Sequence, residues 1–88
     1  MIPRAHTVEV MLDTDLATAQ KELIASVGVL EWQGDGVLLR AQADDLNWIA
    51  RELSRLPFDF SVRAPAALRH SLTRLARRLQ GIAGGQAN

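Results

Sequence analysis

Few side chains in this sequence could carry chemistry, and most of those that could are arginines. His6 and His70 are the only histidines, one at a strand start and one within a helical stretch, and cysteine is absent. No His-x-x-x-His pair, Gly-x-Ser-x-Gly turn or acidic triplet accompanies them, so neither a zinc hydrolase nor a serine nucleophile has its parts. Without cysteine there is no disulfide framework, thiolate metal site or sulfur nucleophile. Asp13-Thr14-Asp15 lacks the glycine and distal glutamate of a calcium loop and reads as a helix start. Gly34-Asp35-Gly36 is followed by a strand where a phosphate cradle needs a helix N-terminus, and so reads as a hairpin turn. The residues predict no catalytic group, no metal and no cofactor. They favour recognition over reaction.

Nine of the ten cations are arginine, the residue suited to bidentate contact with carboxylate or phosphate and to stacking on aromatic planes. Net charge is zero, yet Glu9, Asp13, Asp15, Glu22, Glu31 and Asp35 make the first part acidic, and after Asp59 every charge is positive. The molecule is expected to be an electrical dipole. Counting about 100° per residue from the centre of a Leu46, Ile49, Ala50 and Leu53 face, Trp48 points away from it, beside Arg51 and Arg55. Tryptophan and arginine dominate binding hot spots, so these three are candidates for a protein interface. The alternative is a tryptophan lying over arginine stems at a helix edge. His70, Arg74 and Arg77 form a second stripe at i, i+4 and i+7. They are candidates for the same interface or for phosphate contact; otherwise they are a solvated face complementing the helix dipole. Strand three, Val37 to Gln42, has no aromatic residue on which a base could stack, which argues against single-strand readout on the sheet.

The elements that position these residues follow from periodicity. His6 to Leu12 alternates, with Val8, Val10 and Leu12 on one side, as a half-buried strand does. Helix one starts at Asp13-Thr14-Asp15 and carries Leu16, Ala19, Leu23 and Val27 at helical spacing, with Ile24 flanking and Gly28 in the place of a left-handed cap. Val29 to Gln33 and Val37 to Gln42 read as a hairpin whose Asp35-Gly36 pair tolerates positive φ. Either Leu30 and Trp32 or Val29 and Glu31 could face inward. Helix two begins at Asp44 or Asp45 and runs to about Leu56, where Pro57 stops it. Strand four places Phe58, Phe60 and Val62 on one face, and Pro65 fits the first turn of helix three. Leu68, Leu72, Leu75, Leu79 and Ile82 form that helix's stripe, read as core packing rather than a short coiled-coil seam. Gly81 and Gly84-Gly85 read as fraying.

The resulting order, βαββαβ plus a helix, predicts an α+β fold, a ferredoxin-like sandwich with strands one and three central and two helices on one face. Thr7, Glu9, Met11, Leu38, Arg40, Asp59, Ser61 and Arg63 are expected on the open face. A single domain is read over residues 5–82, with disordered tails at 1–4 and 83–88. No apolar run approaches the roughly 20 residues that span a bilayer. Met1-Ile2-Pro3-Arg4 begins no signal peptide, so a soluble, cytoplasmic protein is expected.

Leu46-Asn47-Trp48-Ile49-Ala50, then Leu53, Leu56 and Phe60-Ser61-Val62-Arg63-Ala64-Pro65, then Leu68-Arg69 with Leu72, Leu75, Ala76 and Leu79, resembles the end of the WCX domain. WCX is the C-terminal extension of WYL-family bacterial transcription regulators. The similarity covers roughly residues 5 to 80. It departs at Pro57 or Phe58, where many members have glycine, and at Gln80-Gly81-Ile82, where many have an aromatic residue.

The resemblance implies a DNA-binding regulator with an N-terminal winged helix and a central WYL domain. In that family WCX helps to dimerise the protein and to close over an effector pocket, with single-stranded DNA or another nucleotide as ligand. The implied partners are a second copy, the WYL domain of the same regulator, and a nucleic-acid effector. Trp48, Pro65, Leu68 and Arg69 match the motif; Pro65 and Leu68 would be structural. Arg69, near Arg63 on the preceding strand, would contact the effector or a second protomer; Arg63 and Arg40 are the other candidates for effector or phosphate contact. Two other readings compete: a stand-alone ACT-like metabolite sensor, disfavoured because Leu12 to Leu16 contains no glycine, and an adaptor that binds only protein.

Overall fold

The computed structural model describes residues 5–23 and 27–84. Alternation in β1 (His6–Leu12) buries Val8, Val10 and Leu12 completely. α1 (Leu16–Glu22) is capped by Asp15, whose carboxylate accepts from the Thr18 amide at 2.7 Å. That backbone bond, followed by the Thr18 side-chain bond, holds the Asp15 carboxyl below the usual aspartate range. The chain continues through β2 (Val29–Trp32), β3 (Val37–Ala43), α2 (Leu46–Leu53), β4 (Phe60–Ala64) and α3 (Ala66–Gly84). Asp45 caps α2, accepting from the amides of Asn47 at 2.9 Å and Trp48 at 3.4 Å.

The sheet order is β2-β3-β1-β4 with every pair antiparallel, so β1 and β3 are central. Residues directly opposite in a ladder share a face. Val10 therefore lies level with Leu39 and Val62, and Leu12 with Val37 and Phe60. This face packs into one cluster with Ala19 of α1, Leu23 just beyond it, the α2 residues Leu46, Ile49, Ala50 and Leu53, and Leu68 of α3. Register also settles β2: Leu30 and Trp32 oppose Leu39 and Val37 and face the core side, while Val29 and Glu31 face away. Trp32 nevertheless stays 51% exposed because it ends the edge strand.

Several expectations are corrected. α1 ends at Glu22, and Leu23 is already extended with φ −110°. Leu23 and Val27 are still buried, whereas Ile24 lies outside the described residues. Gly28 does not take the positive φ of a cap. It is needed because a Cβ there would meet the Arg40 carbonyl oxygen and stand 2.9 Å from the Ala41 Cβ. In the hairpin the positive φ falls on Gly34, at 96°, rather than on Asp35-Gly36, and the Gln33 amide donates to the Gly36 carbonyl at 2.8 Å. α2 stops at Leu53 and reaches Leu56 only through turns, its last turn tied by the Ser54 hydroxyl donating to the Arg51 carbonyl.

β4 begins at Phe60 because β1 ends opposite it, at Leu12; Phe58 still packs against the core. A bulge puts an extra β4 residue, Arg63, between the Val10–Val62 and Glu9–Ala64 pairs. On the open face Leu38 is only 3% exposed, flanked across the ladders by Met11 and Glu31 and along its own strand by Arg40, all longer side chains that shield it.

α3 lies against α2 and β4 and continues through Gly81 to Gly84, beyond the expected fraying. Of the tail read at residues 83–88, residues 83 and 84 belong to α3 and 85–88 lie outside the described residues. Leu68 is wholly buried, Leu72 and Leu75 are half-buried, and Leu79 and Ile82 are 47% and 56% exposed. The leucine stripe runs past the end of the core beneath it. The radius of gyration, 14.2 Å, accordingly exceeds the about 12 Å of a close-packed chain of this length. Among the described residues no helix is long and apolar enough to cross a membrane.

Candidate functional site

α2 presents Asn47, Ala50 and Arg51, spaced i, i+3 and i+4, to α3, which answers with Ser71, Arg74, Leu75 and Arg78 on one face. Between them lies a cleft of about 420 Å³, with Ala50 and Leu75 as its apolar part. Ser71 is 4% exposed. One guanidinium nitrogen of Arg74, Nη2, donates to Ser71 Oγ and to Asn47 Oδ1, each at 3.2 Å. No acidic residue lines the cleft, and among the described residues none of Arg51, Arg74 and Arg78 is ion-paired. On the other side of Arg74 an adjoining hollow carries Asp44, Asp45, His6 and His70. A third hollow, at the end of the sheet, gathers Asp13, Asp35 and Asp59. Arg74, Asn47 and Ser71 line both the arginine cleft and the adjoining, mixed hollow, whereas the third hollow carries acidic residues without a basic one.

None of Arg40, Arg63 and Arg69, the expected effector contacts, lines these hollows. Arg40 stands on the open face between Glu9, at 3.8 Å, and Glu31, at 3.7 Å. These pairs are exposed and stabilise little, but they compensate its charge. Arg69 donates from Nη1 to the Val62 carbonyl at 3.0 Å, pinning α3 to β4. Arg63 is exposed and forms no ion pair among the described residues. Of the interface candidates, Arg55 pairs with Glu52 at 3.3 Å, Arg77 is exposed, and His70 joins the mixed hollow. Arg51 and Arg74, read as parts of two separate stripes, converge on the cleft. Arg78 was not singled out, although its position one turn after Arg74 was the available signal.

The WCX domain family model matches residues 4–80. The chain belongs to the WCX domain family. No curated protein and no solved structure gives a match. Within this WCX domain the motif residues fall into structural places. Pro65 precedes α3 and accepts the Leu68 amide at 3.0 Å, and Leu68 is in the core. Trp48, expected on a polar face, is half-buried and packs against the core cluster, because its ring is large enough to reach inward from the helix edge.

Arg69 of the WCX motif thereby becomes a tether. Arg69→Ala is expected to lower unfolding free energy by about 0.5–1.5 kcal/mol, the net worth of one hydrogen bond. Arg63→Ala should change it by less than about 0.5 kcal/mol. Urea titration followed by circular dichroism compares them, and equal effects would contradict the tether.

Proposed function

We propose that this WCX domain is the C-terminal dimerisation and effector-coupling unit of a WYL-type transcriptional regulator that responds to a nucleic-acid ligand such as single-stranded DNA. Family membership over residues 4–80 carries the reading. The architecture is read as a ferredoxin-like βαββαβ sandwich with right-handed crossovers and an added helix, a reading supported by the central position of β1 and β3. Such a sandwich is a rigid platform for binding; its role here is recognition, not catalysis.

Two exposed apolar features support protein partners, namely a second copy and the WYL domain. Leu79 and Ile82 lie bare on the last turns of α3, and the edge strand β2 exposes Val29 and Trp32. Grouped apolar surface and an unpaired strand edge both favour association. Light scattering after size exclusion tests the first partner. The wild-type chain is expected to shift toward the dimer mass at high micromolar concentration, while a Leu79→Glu, Ile82→Glu double variant with the same circular dichroism remains monomeric. A wild-type chain that stays monomeric throughout would remove autonomous dimerisation.

A further inference from the structure

We propose that the α2–α3 cleft is a phosphate-monoester site, which in the regulator takes the terminal phosphate of an oligonucleotide; the inference rests on the preceding functional reading only for the source of that phosphate. The first observation is uncompensated charge. Arg40 and Arg55 have carboxylate partners and Arg69 has a backbone carbonyl, yet the three cleft arginines have no acid within ion-pair distance among the described residues. Arg74 and Arg78 are one helical turn apart, a like-charge spacing that weakens a helix unless an anion is shared between them. A bound anion would turn that repulsion into two charge-assisted hydrogen bonds.

The second observation is orientation. Arg74 spends only Nη2 on Asn47 and Ser71, so its remaining N–H groups are held in a fixed plane and stay available. Ser71, buried beneath, anchors this geometry. The cleft volume of about 420 Å³ falls in the range of small-ligand sites.

Stoichiometry of charge and oxygen selects the ligand. A carboxylate or an internucleotide diester brings one negative charge and two free oxygens, which leaves a third guanidinium without a partner. A phosphate monoester brings about −1.5 to −2 charge and three strong acceptor oxygens, one for each arginine. Asp44 and Asp45, on the far side of Arg74, repel an anion from that direction and seat it toward Arg51 and Arg78. Leu75, half-buried at the cleft, offers apolar surface to the sugar next to the phosphate.

The test measures anisotropy of 3′-labelled hexathymidylate, with a 5′-phosphate or a 5′-hydroxyl, on the intact chain at low salt, with thymidine 5′-monophosphate and inorganic phosphate as competitors. The phosphorylated strand is expected to bind about tenfold more tightly than the hydroxyl strand. Arg51→Gln and Arg78→Gln, whose side chains form no ion pair among the described residues, should erase that preference at unchanged circular dichroism. Lys21→Gln, which removes the same charge from α1, should leave it intact. If the mononucleotide or inorganic phosphate competes as well as the phosphorylated strand, the phosphate site stands, but its source is a small molecule and the nucleic-acid effector reading falls. Equal affinity for the two strands, no binding of either, or a preference that survives both arginine variants overturns the site. A dimer in light scattering would still uphold the dimerisation reading in those cases.

Discussion

Leu68→Ala is expected to remove about 2–5 kcal/mol of folding stability, a large share of the roughly 4–13 kcal/mol available to a chain of this length. Leu68 is 0% exposed and belongs to the same cluster as Val10, Leu39, Ile49 and Leu53. It enters from the first turn of α3, where its amide is held by the Pro65 carbonyl at 3.0 Å. Apart from Ser71, no other α3 residue is buried, so truncation opens a cavity at the main point where α3 meets the rest of the domain. Since Ser71, Arg74, Leu75 and Arg78 ride on α3, the cleft against α2 should loosen with it. Leu79→Ala has the same chemistry at a 47% exposed position, and should change stability by less than about 0.5 kcal/mol. Urea denaturation of both variants reads the contrast directly. Equal losses would mean that α3 packs along its full length.

That contrast marks where sequence alone stops being informative. Period-two alternation identified Val8, Val10 and Leu12, and helical spacing identified Leu46, Ile49, Ala50 and Leu53, because each pattern is local and each segment has a single buried face. The leucines of α3 repeat just as regularly, but whether a leucine is buried depends on whether core lies beneath it, which the helix's own sequence does not encode. Leu68 and Leu79 look alike until α2 and β4 are in place.

The candidate site divides in the same way. Arg51 and Arg74 were each legible as members of candidate stripes. Their convergence was not, because it depends on how α2 packs on α3. Arg69 was read from the family motif as a contact residue, and its side chain reaches back to the Val62 carbonyl. Strand register sets Arg40 opposite Glu9, which compensates its charge. Trp48, left open between an interface residue and a ring lying over arginine stems at the helix edge, is half-buried against the core cluster.

Gly28→Ala separates two explanations of one glycine. As a helix cap it would need a left-handed backbone, and adding a methyl group would cost about 1–2 kcal/mol through that conformation. Gly34, with φ 96° and no atom within 4 Å of a built Cβ, is the position where that explanation applies. At Gly28 the backbone is ordinary and the obstacle is β3 itself, since the added carbon would collide with the Arg40 carbonyl oxygen and crowd the Ala41 Cβ at 2.9 Å. β3 is central, hydrogen-bonded to β1 on one side and β2 on the other, so its backbone cannot retreat without straining a ladder. The loss should therefore match or exceed the upper part of the about 1–3 kcal/mol range for overpacking, and exceed that of Gly34→Ala. Adding Ala41→Gly removes only one of the two obstructions, so it should recover part of the loss and never all of it. Urea midpoints for the two single variants and the double variant decide the matter: a Gly28→Ala loss no greater than that of Gly34→Ala would mean that the chain before β2 has room to move away from the sheet.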